Sequence, residues 1–166
     1  NTAASYYSLG KIDEAIQMAH KAIALKPKAS AYSNLGTMYF YQNKYLQSIE
    51  AFEKAVELLP NNYMFWGNLG DAYWLVANEK YKNAYNKAAT LAKLKLDLNS
   101  KDQLAIACLA YYFSGLNQQI EAVDYALQIG VHSDATSNFM VAAAYDRFNQ
   151  KEKVLQHLEY SLAKKY

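Results

Sequence analysis

The eight residues from Trp66 to Tyr73, with the sequence WGNLGDAY, constrain the fold of this chain more than any other stretch. Trp66, Leu69 and Tyr73 are three and four residues apart, so they share one face of an α-helix. Gly70 lies next to this apolar face, although a glycine inside a helix costs about 1 kcal/mol relative to alanine. We therefore expect Gly70 to let a second helix pack closely against the first.

The same pattern recurs along the chain at a nearly constant spacing. Tyr32, Leu35, Gly36 and Tyr39 precede the corresponding residues of this stretch by 34 positions. Six positions recur after 33 residues, namely Tyr6, Gly10, Ala15, Ala19, Ala22 and Pro27 followed by Tyr39, Asn43, Ser48, Phe52, Ala55 and Pro60. A period of this length is typical of repeats that each fold into two antiparallel helices.

The period predicts an all-α fold with about five helix pairs in a single domain. Their approximate limits are 1–28, 29–62, 63–99, 100–131 and 132–166. We expect helices at 12–25 in the first copy and at 29–41 and 45–59 in the second. The third copy carries two extra residues near 76–79 and a longer second helix. Because the chain begins inside the first helix of its first repeat, we also expect it to be part of a longer protein.

Three helix ends in the second half of the chain are predicted from capping residues. Ser100 and Gln103 have the spacing of a capping box for the helix that follows them. Gly130 is expected to end the preceding helix, because glycine readily adopts the left-handed conformation found there. Ser133 is expected to cap the helix after that.

Charge and composition argue against several classes of function. There are 17 basic and 15 acidic residues, which give a formal net charge of +2, and Arg147 is the only arginine. Surfaces that bind nucleic acid are usually rich in arginine, so we expect no nucleic-acid partner. No apolar run reaches the roughly 18 residues of a membrane span, so we expect no membrane association. Cys108 is the only cysteine, which excludes an internal disulfide and fits a reducing, cytoplasmic location.

No arrangement of side chains predicts catalysis or a metal site. The three histidines are far apart in sequence, and we expect each to be a surface or turn residue: His20, His132 and His157. Cys108 lies among small apolar residues and is expected to be buried. Asp71 and Asp146 are separated by two repeats, too far for an acid–base pair. We therefore expect no enzymatic activity, no cofactor and no metal.

These repeated residues resemble the tetratricopeptide repeat family, and the resemblance covers essentially the whole chain. It implies a right-handed α-solenoid of antiparallel helix pairs, in which the first helix of each pair lines a concave groove. The succession of an intact repeat, a long lysine-rich helix and two looser repeats is similar to the C-terminal repeat domains of some bacterial signalling proteins. Those domains follow serine/threonine kinase, adenylyl cyclase or winged-helix DNA-binding modules.

The resemblance also implies which residues line a peptide-binding groove. Mapped onto this chain they are Asn34, Thr37, Phe40, Tyr41, Asn68, Asp71, Trp74, Tyr111, Phe139 and Arg147. Asn34 and Asn68 occupy a position at which family members bond the backbone of an extended peptide, since an amide both donates and accepts. The alternative is that these asparagines bond to neighbouring helices. Chaperone-binding members carry a clamp of lysines, arginine and asparagines, and the matching positions here include Ser33 and Met64, which disfavours a chaperone tail as partner.

The expected function is therefore a non-enzymatic scaffold that binds a peptide or protein segment in its groove. The alternative is a small-molecule-sensing regulatory domain of a bacterial signalling protein, which would need an enclosed pocket rather than an open groove. A third hypothesis is self-association through the ends of the solenoid. Leu158 and Leu162 share a face of the last helix, and we expect no further helix to cover them.

Overall fold

A computed structural model of the chain describes residues 10–130 and 133–163, with side chains up to residue 159. All regular secondary structure in these two ranges is α-helical, which confirms the predicted all-α fold. The helices are α1 (Ile12–Leu25), α2 (Ala29–Tyr41), α3 (Tyr45–Leu58), α4 (Tyr63–Leu75), α5 (Lys80–Leu98), α6 (Gln103–Gly115), α7 (Gln119–Ala126), α8 (Ala135–Arg147) and α9 (Lys151–Ala163).

Short turns join these helices into the predicted pairs, α2 with α3, α4 with α5, α6 with α7 and α8 with α9. Helix α1 is the second helix of the first repeat, whose leading helix falls on residues outside the described ranges. The bounds of α1 and α2 are those expected from the period, and α3 ends one residue earlier than expected. Helix α5 has 19 residues, which confirms the predicted extension of the third repeat.

The turn inside each pair contains one residue in the left-handed backbone region. These residues are Asn43, Ala77, Asn117 and Asn149, with φ between 53° and 60°, and Gly10 has φ 65° at the corresponding place before α1. Glycine and asparagine adopt this conformation more readily than other residues, which explains why they recur at the turn. Ala77 is the exception, and it lies in the turn where the third repeat carries its two extra residues.

The chain forms two compact units that divide within α5, between Ala84 and Tyr85. In the first unit, α1 to α3 enclose one buried apolar cluster, which consists of Ala15, Ile16, Leu35, Met38 and Ala51. Helices α3 to α5 enclose a second, which consists of Ile49, Phe52, Val56, Leu69, Ala72, Tyr73 and Ala84. Each cluster joins two consecutive repeats, as expected when a helix pair buries its apolar face on its neighbour.

Glycine allows close contact between α2 and α3. A Cβ atom at Gly36 would lie 2.7 Å from two carbon atoms of the Phe52 ring, closer than packed atoms approach. The Ser48 hydroxyl donates a hydrogen bond to the Gly36 carbonyl at 2.8 Å, so the backbone of α2 is also in direct contact with α3. Gly70, at the equivalent position of α4, is buried as well. The packing role predicted for these glycines is thus confirmed at Gly36.

The second unit has its own apolar cluster together with buried polar groups. The cluster consists of Ile106, Ala107, Ala110, Ala126, Ile129, Val141, Ala144 and Tyr145. Cys108 is buried as predicted. The prediction of a surface or turn position was wrong for His157, which is 6% exposed and lies inside α9. Its Nδ1 atom is 2.7 Å from Oδ1 of Asn138, a fully buried residue of α8. His132 lies outside the described residues.

The predicted capping residues of the second unit were wrong at two helix starts. Helix α6 is capped by Asp102, whose carboxylate accepts a hydrogen bond from the Ala105 amide at 3.0 Å. Helix α8 is capped by Asp134, which accepts from two backbone amides at 2.9 Å. Gln103 and Ser133, which had been assigned to caps, instead hydrogen-bond to each other at 3.1 Å. An ionised carboxylate is the stronger acceptor for orphan amides and favours the positive end of the helix dipole.

The predicted helix end at Gly130 was also wrong. Helix α7 ends at Ala126, and the backbone continues through a turn in which the amide of Ile129 donates to the Ala126 carbonyl at 3.0 Å. A Cβ atom at Gly130 would meet no described atom within 4 Å, so this glycine is not required by close packing. The helix therefore ends four residues before the glycine that was expected to end it.

Candidate functional site

One face of α2 and α4 in the first unit carries most of the predicted groove residues. Positions 34, 37 and 41 are three and seven residues apart, so they share a face of α2. Positions 68, 71 and 75 repeat that face on α4, because the two helices are related by the 34-residue period. The structure therefore brings Asn34, Thr37, Tyr41, Asn68 and Asp71 onto equivalent positions of consecutive first helices.

The two asparagines lie toward the N-terminal half of these helices. Asn34 is exposed and Asn68 is half-buried. Within the described residues, neither side chain takes part in a hydrogen bond, so the fold does not use their amide groups. Each amide can donate and accept at the surface of the helix.

Apolar side chains are exposed at the other end of the same face. Tyr41 is 41% exposed, Trp74 is 50% exposed and Leu75 is 40% exposed. Phe40 is half-buried and packs against the cluster around Phe52. The Phe40 ring also contacts the Tyr45 ring edge-on, with 5.6 Å between the ring centres. The face thus changes from amide groups at one end to aromatic and aliphatic groups at the other.

The Thr37 hydroxyl is used within its own helix. It donates to the Ser33 carbonyl one turn earlier at 3.0 Å, a common arrangement for threonine inside a helix. Asp71, at the equivalent position of α4, is half-buried. The middle of the face is therefore polar but contains only one acidic group.

The predicted residues Tyr111 and Arg147 come together in the second unit. The Arg147 guanidinium lies over the Tyr111 ring at 4.4 Å from its centre. It also donates hydrogen bonds to the Tyr111 carbonyl, the Ser114 hydroxyl and the hydroxyls of Tyr85 and Tyr111, at 3.1–3.3 Å. Gly115 makes room for this arrangement, since a Cβ atom there would lie 2.6 Å from both the guanidinium and the Tyr85 ring. Arg147 is thus packed among tyrosine rings and donates to several oxygen atoms around it.

Phe139 lies two turns before Arg147 on α8 and is 58% exposed. A large exposed ring on a first helix is the feature expected of a contact residue for a partner. Of the predicted groove residues in the second unit, Phe139 is thus exposed, whereas Tyr111 and Arg147 pack against each other.

The sequence prediction missed a groove on the first unit, with a volume of about 540 Å³, between α1, α2 and α3. Three of its lining residues are glutamates of α3, namely Glu50, Glu53 and Glu57. Their spacing of three and four residues was the available signal, because it places them on one face of the helix. Tyr32 and Tyr39 of α2 also line this groove.

The described residues contain no candidate metal site and no candidate membrane-spanning helix. In the ranges 10–130 and 133–163 no group of three or more His, Cys, Asp or Glu side chains is placed to hold a metal ion. No helix of that part of the chain combines the length and apolar character needed to cross a membrane.

Comparison with known proteins supports the repeat assignment. Models of the tetratricopeptide repeat family match residues 3–28 and 29–62. Over 91 residues, or 54% of its length, the chain is 32% identical to small glutamine-rich tetratricopeptide repeat-containing protein 2 of Mycosarcoma maydis, of which this covers 26%. The chain spans about a quarter or less of each curated relative that it matches.

Two solved structures share the fold over nearly the whole chain. The tetratricopeptide repeat protein TTC0263 of Thermus thermophilus has a TM-score of 0.67 at 16% identity, over 97% of this chain and 87% of that one. YrrB, a tetratricopeptide repeat protein with an unusual peptide-binding site, has a TM-score of 0.52 at 20% identity, over 97% and 81%. Tetratricopeptide repeat proteins generally act as protein-interaction scaffolds. This chain has their all-α fold and contains tetratricopeptide repeats, matched directly in residues 3–62.

Proposed function

We propose that the first unit binds an extended segment of a partner protein on the face formed by α2 and α4. The observation that carries this proposal is the combination of two amide side chains unused by the fold with exposed apolar groups on the same face. The general role of tetratricopeptide repeats as interaction scaffolds supports it. The similarity in fold to YrrB, which has a peptide-binding site, agrees with it.

The two ends of the face would contribute differently to binding. Asn34 and Asn68 can each pair with a peptide unit of any sequence, because every peptide unit offers a donor and an acceptor. Such a bond contributes about 0.5–1.5 kcal/mol net. Trp74 and Tyr41 would instead bury a large apolar side chain, and the gain depends on which side chain is present. Affinity would thus come from the asparagines and selectivity from the rings.

Calorimetric titration with a panel of short uncharged peptides of varied sequence tests this division. Asn34→Ala combined with Asn68→Ala is expected to weaken all binding peptides by a similar factor, about tenfold for two lost bonds. Trp74→Ala is expected to weaken peptides with aromatic or large aliphatic side chains far more than peptides without them.

Asn83→Ala provides a matched control, because Asn83 is an exposed amide on α5, whereas the proposed face is formed by α2 and α4. It is expected to leave every affinity unchanged. If the double asparagine variant changes affinity only for certain sequences, or if neither variant affects binding, the α2–α4 face is not the peptide site.

The alternative hypothesis of a small-molecule sensor makes a different prediction for the same face. A sensor needs a pocket that encloses most of its ligand. The residues that would form its walls here, Tyr41, Trp74 and Leu75, are each at least 40% exposed. An extended protein segment, which leaves one side in solvent, therefore fits this face better than an enclosed small molecule.

A further inference from the structure

The groove between α1, α2 and α3 lies on the side of α2 opposite the proposed peptide face. Its α2 residues are at positions 32, 35 and 39, whereas the peptide face uses positions 34, 37 and 41. A shift of two residues turns the helix by about 200°, so the two sets face nearly opposite directions. The groove is therefore a second surface, and its use does not depend on the function proposed for the α2–α4 face.

The groove carries an excess of negative charge. Lys54 forms an ion pair with Glu57 at 2.7 Å. Within the described part of the chain, Glu50 and Glu53 form no ion pair, although Lys54 also attracts Glu53 at longer range. Glu53 accepts a hydrogen bond from the Tyr73 hydroxyl at 2.5 Å, which holds the carboxylate in place at one edge of the groove. Two carboxylates thus remain for a cation that enters the groove.

Aromatic side chains form the rest of the groove wall. Tyr39 is fixed by a hydrogen bond of 2.9 Å between its hydroxyl and Nε2 of His20, which ties α2 to α1. Tyr32 lies two turns earlier on the same face of α2. Leu35 and Ala51 are buried and form an apolar floor. A tyrosine ring attracts a cation placed over its face, and a nearby carboxylate adds to that attraction.

The chain itself shows how tyrosines hold a cationic side chain. In the second unit the Arg147 guanidinium lies over the Tyr111 ring and bonds to two tyrosine hydroxyls. The groove of the first unit likewise offers two tyrosines, together with the carboxylates of its glutamates. A guanidinium stacks on a ring and pairs with a carboxylate at the same time, which an ammonium does less well.

We propose that this groove binds an arginine-containing basic segment of a partner protein. The guanidinium would lie between the ring of Tyr32 or Tyr39 and the carboxylates of Glu50 and Glu53, above the apolar floor. A groove of about 540 Å³ falls within the usual range for ligand sites and accommodates a long side chain with part of its backbone.

The test is calorimetric titration at low ionic strength with a short peptide in which arginine and serine alternate. Glu50→Gln combined with Glu53→Gln is expected to weaken binding by about fivefold, because two exposed attractions are lost while size and hydrogen-bond acceptors are kept. Glu121→Gln combined with Glu159→Gln is the matched control, since it removes the same charge from exposed positions of the second unit. It is expected to leave the affinity unchanged.

Two further measurements determine whether the groove itself is responsible. Lys54→Gln is expected to strengthen binding about twofold, since it removes the competing cation from Glu57. A peptide with lysine in place of arginine is expected to bind more weakly than the arginine peptide. Equal weakening by the two glutamine pairs, or weaker binding after Lys54→Gln, would overturn the proposal.

A variant on the α2–α4 face shows which of the two surfaces binds the arginine peptide. Trp74→Ala is expected to leave binding of the arginine peptide unchanged, whatever it does to the uncharged peptides. If Trp74→Ala removes binding of the arginine peptide while the glutamate changes do not, the arginine segment binds on the α2–α4 face. That result would reject the groove proposal and leave the proposed peptide function standing.

Discussion

The hairpins α2–α3 and α8–α9 hold their helices together by different chemistry. In α2–α3 the Phe52 ring packs directly on Gly36, where a Cβ atom would come within 2.7 Å of the ring. In α8–α9 two buried polar side chains meet, with 2.7 Å between Oδ1 of Asn138 and Nδ1 of His157. A helix pair of this kind therefore does not require a small residue opposite an aromatic one, provided that the polar groups replacing them satisfy each other.

The polar contact in α8–α9 determines which ring nitrogen of His157 carries the hydrogen. The Asn138 amide nitrogen donates to the carbonyls of Ser133 and Asp134, at 2.9 Å and 3.0 Å. Its oxygen therefore faces His157, and Nδ1 of that ring must carry the hydrogen. Burial lowers the pKa of His157, so the imidazole is neutral at pH 7. Protonation would leave this Nδ1–H donor in place but would charge a buried ring, so the α8–α9 hairpin is sensitive to pH. The glycine–phenylalanine contact is sensitive only to volume.

The largest effect is expected from filling the space at Gly36. Gly36→Leu should destabilise the fold by about 3 kcal/mol, because the new side chain overlaps a buried ring that has little room to move. Gly36→Ala should also destabilise it, although alanine favours a helix by about 1 kcal/mol over glycine. Urea unfolding followed by circular dichroism measures both changes.

Removing the ring provides the control for this prediction. Gly36→Leu combined with Phe52→Ala should be more stable than Gly36→Leu alone, because the leucine then occupies the space that the ring leaves. A double variant no more stable than the single one would show that the clash lies elsewhere and that the α2–α3 contact has been misidentified.

A smaller loss is expected from the polar contact of the second unit. Asn138→Ala removes three hydrogen bonds and leaves a buried imidazole N–H without an acceptor, which should cost about 2 kcal/mol. Hydrogen exchange should show the largest loss of protection in α8 and α9. Asn86→Ala, on the exposed side of α5, should change stability little. Equal losses in both variants would mean that the Asn138–His157 bond contributes nothing specific.

The sequence predicted the regular part of the fold because that part depends on local pattern. The bounds of α1 and α2 follow from the spacing of apolar residues and from Pro27, which cannot continue a helix. The same period places Asn34, Thr37 and Tyr41 on one face of α2 and repeats that face on α4. These predictions required only helix geometry and a count of residues.

The parts that were not predicted depend on contacts between residues distant in sequence. His157 was expected at the surface because nothing near it in sequence shows Asn138, 19 positions earlier, as its partner. Likewise, the packing of Arg147 against Tyr85 and Tyr111 spans 62 and 36 positions. The cap predictions failed for a more local reason, since Ser100 and Asp102 are both capping residues and the prediction gave too little weight to the carboxylate.

Acid should weaken the second unit through His157. Below pH 6.5 the unfolded chain takes up a proton that the folded chain, with its lower pKa, does not, so stability falls as the pH decreases through that value. Burial alone would raise the pKa of the Asp134 carboxyl, but hydrogen bonds from Ser137 and Thr136 outweigh burial and lower it. The contribution of Asp134 to stability is therefore lost only near and below pH 3.8, well below the pH range of the histidine effect.

Unfolding measured between pH 7 and 5 tests the histidine separately from the carboxylate. His157→Asn keeps an amide donor at the position of Nδ1 but does not titrate, so the loss of stability across this range should become smaller. The α2–α3 hairpin contains no comparable buried histidine among its described residues. An unchanged pH dependence in His157→Asn would assign the effect to another group.

The smallest effect is expected at the turn between α4 and α5, which has alanine where the turn between α2 and α3 has asparagine. Asn43, between α2 and α3, and Ala77, between α4 and α5, have φ values of 60° and 53°. The left-handed region costs alanine roughly 1–2 kcal/mol and costs glycine almost nothing. Glycine loses more conformational entropy on folding, which offsets part of that gain. Ala77→Gly should therefore stabilise the fold by about 0.5 kcal/mol. Asn43→Gly is the matched control and should change stability less, since asparagine tolerates this conformation. A loss of stability in Ala77→Gly would mean that the Ala77 methyl makes contacts that outweigh the backbone strain, and that the two turns are not equivalent.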